Sequence, residues 1–252
     1  MNFRWREAGL LLVLLTALAL VLALDPIRQD PAYHALADTR ALFGIPNFFN
    51  VTSNAAFLIV GIAGLRWCFV NKGRGASASW TLFFFGIALI AAGSAYYHLA
   101  PGDGTLVWDR LPMTVAFMGC FVAIVSEHLD AGLERKLLVP AVVLGIASVV
   151  WWKYTDDLRL YAWVQLAPLL AVLYLMTAFP GRYSHRAYLI GGTAIYAAAK
   201  VCEFQDGAIF EMTSGIVSGH TLKHVAAALG AYFVYLMLRG REPIAAGDPA
   251  RI

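Results

Sequence analysis

Residues 79–99 read SWTLFFFGIALIAAGSAYYHL, with no ionisable side chain until the tyrosines and histidine at the end. A helix needs about 20 mostly apolar residues to cross the hydrocarbon core of a bilayer. It is also one of the few backbone forms that satisfies its own hydrogen bonds there. The same kind of stretch recurs along the chain, at roughly 8–25, 49–70, 79–99, 108–128, 136–152, 159–179, 186–204 and 218–238. The fifth is the shortest. Hydrophobic residues make up 60% of the 252 residues and charged residues only 14%. Soluble domains run at about 45–50% and about 25%. That composition excludes disorder, collagen-like repeats and an ordinary water-soluble domain. The expected fold is an all-α, polytopic membrane helix bundle.

The net charge of +3 is small, and the basic residues are spread out, so no footprint for nucleic acid exists. Cys68, Cys120 and Cys202 sit in apolar stretches without C-x-x-C spacing and read as small buried hydrophobes. The first span, preceded by Arg4 and Arg6, has the outline of a signal peptide. It lacks a small-x-small cleavage site before Asp25, so we read it as a retained helix.

Cytoplasmic loops carry an excess of Lys and Arg. With eight spans, one side receives Arg4, Arg6, Arg66, Lys72, Arg74, Arg135, Lys136, Arg182, Arg186, Arg239, Arg241 and Arg251. The other receives Asp25, Asp30, Asp38, Asp103, Asp109, Asp156, Asp157, Asp206 and Glu211. This split places both termini in the cytoplasm and the acidic loops outside. Residues 1–252 form one transmembrane domain, and the polar stretch 240–252 is a cytoplasmic tail.

Ionisable groups inside spans are costly and mark functional sites by default. Ser94 and His98 lie four apart, on one helix face, at the outward end of the third span. Asp109 opens the fourth, where Asp suits the helix dipole and Pro112 suits a first turn. The turn Pro101-Gly102-Asp103-Gly104 makes those two spans antiparallel neighbours. His220 and His224, four apart, open the last span at the same outward side. Each group alone is also what an interfacial helix end looks like. Together they give two imidazoles on one helix and a third from another, the open His₃ arrangement of zinc enzymes. Zinc lowers the pKa of its water to about 7. Asp109 is then the candidate general base and acid, and Ser94 the donor to a developing oxyanion. His34, His128 and His185 fall outside this cluster. Lys200, Glu203 and Asp206 read as an ion-paired end of the seventh span, or as groups orienting the histidines. Helical spacing turns Lys223 away from His220 and His224 and towards one of these acids.

At these positions the chain resembles the alkaline ceramidase family, within the CREST group of membrane hydrolases that also includes the adiponectin and progestin receptors. The matching pieces are Asn50-Val51-Thr52-Ser53-Asn54, Ser94-x-x-x-His98, Asp109 and His220-x-x-x-His224. The resemblance covers residues 45–238, a seven-helix core, and is closest to a bacterial branch with an extra N-terminal helix. It implies zinc on His98, His220 and His224, with Ser94 and Asp109 catalytic. It implies hydrolysis of the N-acyl amide of ceramide, or of a related N-acyl lipid, to a fatty acid and an amine. The membrane in question would be the bacterial inner membrane, with the site on its periplasmic side. Phe83, Phe84, Phe85, Tyr96, Tyr97, Trp163 and Tyr196 are candidate walls for the acyl chain. Eukaryotic members bind calcium through an acidic stretch before the first core span. Here Asn47 stands where those have Glu, and Arg40 adds positive charge, so such a site is not expected. The competing readings are a lipid-sensing receptor with structural zinc and, less well supported, a transporter, for which no repeated half is visible.

Overall fold

The computed structural model describes residues 5–179 and 181–244, and these contain helices, turns and two isolated bridges but no strand. Arg4, Arg251 and the tail beyond Ile244 lie outside the described residues. In chain order come α1 (Trp5–Ala23), a single 3-10 turn (Pro31–His34), α2 (Phe48–Thr52), α3 (Ala55–Val70), α4 (Ser77–Leu99) and α5 (Asp103–His128). Then follow α6 (Leu133–Thr155), α7 (Arg159–Ala178), α8 (Ala187–Phe204), α9 (Asp206–Met212) and α10 (Gly219–Gly240). Among the described residues, seven segments are long and apolar enough to span a membrane: α1, α2 with α3, α4, α5, α6, α7 and α10. The chain is an integral membrane protein.

Two boundaries differ from the sequence reading. The fifth span, expected as the shortest, runs over 23 residues. The fourth begins at Asp103, not near Trp108, so Asp103 and Gly104 are helix and Pro112 is interior. An interior proline cannot donate to the carbonyl four residues earlier, here Trp108. Gly93 of α4 packs against that carbonyl so closely that any Cβ would collide with it. The proline defect and the tightest point of the α4–α5 contact therefore coincide.

Lipid gives helices little hydrophobic reason to associate, so close approach through small residues matters more. Gly86 meets the backbone of Ala116 across α4 and α5, and Gly192 faces the carbonyl of Gly230 across α8 and α10. Around these contacts α4 packs on α5 and α3, α5 on α6 and α7, and α10 on α8 and α3. Helix α1 lies outside the rest, against α7, burying only Leu10 and Leu14. Tyr174 donates to the Arg6 carbonyl and Trp163 to that of Leu14. The sequence reading expected eight spans; the segment over 186–204 forms helix α8 but is not among these seven, and it carries Lys200 and Glu203 in its last turns. It lies along α10: His185, just before it, packs by Gly240 at one end, and Glu203 reaches Lys223 at the other.

The end of the bundle away from the histidines is tied by Glu127. Its carboxylate accepts from the Ala76 amide, Trp80 Nε1 and both terminal nitrogens of Arg241, at 2.5–2.9 Å. The three cysteines are unpaired; Cys68 is buried and the others half-buried.

Candidate functional site

The N-terminus of α10 is set by Ser218, whose side chain accepts from the Thr221 amide as an N-cap. Asp206 adds a second restraint, accepting from the His220 amide at 2.7 Å and from the Ala37 amide at 3.0 Å. With the helix start fixed, His220 and His224 share a face one turn apart. His98 arrives from the last turn of α4, where Asn47 Nδ2 holds its carbonyl at 2.8 Å. The three imidazoles are buried, and their centroids form a triangle with sides of 4.7, 4.9 and 4.9 Å. One ring nitrogen from each lies within 4.8 Å of the others, so the group could hold a metal ion.

The donor chemistry fits a metal. His98 Nε2 and His224 Nε2 face each other at 3.2 Å. Two imidazole nitrogens on a tetrahedral ion, with bonds of about 2.0–2.1 Å, stand about 3.3 Å apart. His224 is also oriented from behind. Its Nδ1 lies 2.8 Å from Ser53 Oγ, and Ser53 in turn donates to the Asn50 carbonyl at 3.2 Å. A carbonyl only accepts, so the serine proton goes there and the serine oxygen accepts Nδ1–H. That tautomer leaves Nε2 with a free lone pair for a metal, the usual role of an outer partner. Asn50 is itself buried, donating to the Asp38 carbonyl and accepting from Thr221 Oγ1.

Beside the histidines lies a cavity of about 640 Å³. Ser94, Asp109 and His224 line its end near the histidines, and Val172, Leu189 and Val234 its far end. Ser94 and Asp109 are both buried and both line this cavity. The structure thus brings His98, His220 and His224 together, with Ser94 and Asp109 on the adjoining cavity. Between α7 and α8, which touch only sparsely, Leu166, Lys200 and Phe204 line the cavity and are also exposed, so it opens sideways. Of the aromatic walls expected, Phe83 and Tyr196 line the cavity. Phe84 is in the core, Phe85 and Tyr96 face outward, Trp163 packs on α1, and Tyr97 bonds His34 at 3.0 Å.

Lys223 pairs with Glu203 as anticipated, at 2.5 Å. It does not turn away from the histidines: its Nζ lies 3.4 Å from His220 Nε2. Three residues of helix turn 300°, which returns a side chain close to its starting face. Glu203 is the hub here, accepting from Lys200, Lys223 and Tyr33. Burial and the Glu203 charge push the Tyr33 phenol well up, so it stays a donor.

Tyr33 belongs to a strap, residues 24–47, that crosses this end of the bundle. Gln29 accepts from Arg110, His34 contacts Tyr97 and Asp103, and Arg40 donates to the Ile216 carbonyl. Asp38 is buried, and both its oxygens accept from the Arg40 guanidinium, which holds its carboxyl below the usual range. The carboxylate is therefore satisfied by an internal cation.

Sequence reasoning assigned no role to Ser53, Tyr33, Arg110 or Gln29. Ser53 lies in the Asn50–Asn54 stretch, but its contact with His224 spans 171 positions. A family model described as Ceramidase matches residues 43–242. No curated protein matches the chain.

Proposed function

The chain belongs to the ceramidase family, membrane hydrolases that act on amides, and from that premise we propose that it is a zinc-dependent amidase. It would cleave the N-acyl amide of a ceramide or related N-acyl lipid to a fatty acid and an amine. The observation that carries the proposal is the buried His98–His220–His224 triangle opening onto an apolar cavity that also holds Asp109 and Ser94. His98, His220 and His224 would hold the ion, with Ser53 fixing the tautomer of His224. Zinc in such a site supplies a water acidic enough to attack an amide carbonyl near neutral pH.

Asp109 takes the proton from the attacking water and delivers it to the departing amine nitrogen, so base and acid are one carboxyl group. Ser94, lining the same cavity, donates to the carbonyl oxygen as negative charge develops there. The cavity wall of Phe83, Ile87, Val172 and Val234 excludes water and takes the acyl chain. The gap between α7 and α8 lets a lipid enter from the bilayer. The Lys and Arg distribution supports a bacterial inner membrane orientation with cytoplasmic termini and a periplasmic site.

The test is zinc content and lipid hydrolysis on detergent-purified protein, with His220→Ala beside it. We expect about one zinc per chain, lost in the variant together with release of fatty acid. Hydrolysis unaffected by removal of all bound metal would overturn the reading. A tag placing the C-terminus on the periplasmic face would overturn the orientation.

A further inference from the structure

The cavity beside the histidines has an unbalanced charge. Five charged side chains line it: Arg110, Lys200 and Lys223 against Asp109 and Glu203. Glu203 serves both lysines and Tyr33, and Asp109 makes no ion pair among the described residues. Arg110 is left over. It is 6% exposed and, among the described residues, has no carboxylate within ion-pair distance. Its Nη2 donates to a neutral acceptor, Gln29 Oε1, at 2.5 Å, and its Nη1 has no hydrogen-bond partner among the described residues.

The surroundings hold this cation without neutralising it. The guanidinium carbon lies 4.0 Å from the Trp152 ring centroid, 4.9 Å from Tyr161 and 5.9 Å from Tyr33. Aromatic faces attract a cation but accept no strong hydrogen bond. A dehydrated guanidinium with open donors inside a membrane protein is expensive, and such groups usually mark where a ligand binds. Its planar fork matches a carboxylate or a phosphate in two-point contact. Arg110 directly follows Asp109, so a group attached to the amine side of an amide held at Asp109 is within one side chain's reach. Lys200, 37% exposed at the sideways opening, is the second cation that such a group would pass.

We propose that this site selects N-acyl amines whose amine portion carries a negative charge, a carboxylate or a phosphate, with Arg110 as the anchor and Lys200 at the mouth. The neutral diol of a ceramide would leave Arg110 unpaired. The catalytic meaning of this rests on the amidase reading; the binding preference does not.

Three matched probes test it on the full chain in detergent: N-palmitoylglycine, N-palmitoyl-O-phosphoethanolamine and neutral N-palmitoylethanolamine. Affinity is read by thermophoresis with and without zinc, and hydrolysis separately. We expect at least tenfold tighter binding of one anionic probe than of the neutral one. The stronger of the two anionic probes identifies carboxylate or phosphate as the partner. Arg110→Gln and Lys200→Gln should each erode the ratio at least threefold, with Arg110→Lys keeping part of it. Equal affinity for charged and neutral probes overturns the proposal. So does an Arg110→Gln protein that loosens all three alike, which is how a merely structural cation in an aromatic cage would behave. If Arg110→Gln does not fold, the wild-type ratio and Lys200→Gln decide. Charge-selective binding with no hydrolysis of any probe removes the amidase reading alone; hydrolysis without charge preference removes this one alone.

Discussion

Replacing Ser53 by alanine isolates the relay behind His224. In the metal-bound form Nδ1 must carry a proton, which Ser53 accepts at 2.8 Å while its own proton goes to the Asn50 carbonyl at 3.2 Å. Alanine leaves a buried imidazole N–H without an acceptor, at a cost of about 1–3 kcal/mol. Metal-free protein escapes much of that cost, because His224 can take the other tautomer and point its bare nitrogen at the gap. The penalty therefore falls on the bound form. Outer partners of this kind are worth about 10–100-fold in metal affinity, or about 1.4–2.7 kcal/mol. The assay is competition for zinc against a chromophoric chelator, with the melting temperature of the metal-free protein as control. Ser53→Thr, which keeps the hydroxyl, should recover most of the loss. Zinc affinity within threefold of wild type in Ser53→Ala would refute the relay. So would a metal-free protein destabilised as much as the bound one.

Other changes probe separate parts of the site. Asp109→Asn should retain zinc, measured by elemental analysis, and lose about 10²–10⁴ in turnover of an N-acyl lipid, because the amide cannot shuttle a proton. Glu203→Gln strands Lys223 and Lys200 without their common acid and should destabilise the fold by about 3 kcal/mol, read from unfolding in denaturing detergent. Asp157, between α6 and α7, is held down at about 2 by the Arg159 guanidinium. A depressed carboxylate contributes stability that is complete above its unfolded pKa near 3.9 and lost as pH falls towards about 2. Wild-type protein should lose melting temperature over that window more steeply than Asp157→Asn, and parallel curves would contradict the assignment.

The helices were legible because hydropathy alone demands them, and the His pair because four-residue spacing fixes a shared face. His98 and Asp109 joined them through span parity, which needs only the direction of each crossing. The start of α5 was misread because Pro101-Gly102-Asp103-Gly104 has turn composition, yet Gly102 supplies the turn and Asp103 already begins the helix. Arg110, Tyr33 and Ser53 were beyond reach for another reason. Their partners lie 81, 170 and 171 positions away. The residues around Arg110 and Tyr33 acquire their roles only when the strap folds across the bundle, and an extramembrane strap has no periodicity to read.

The charges in α8 bear on how the chain enters its membrane. A charged side chain is costly when its helix partitions into lipid by itself, less so near an end, where a Lys can snorkel. Lys200 and Glu203 offset each other in part, but Glu203 finds its other partners only in α10 and in the strap. Part of what stabilises this end of α8 thus comes from α10, a segment synthesised later. During biogenesis α8 is a hesitant passenger, committed once α10 follows as the other arm of a hairpin, and a ribosome that stalled between them would leave the polar end of α8 seeking water.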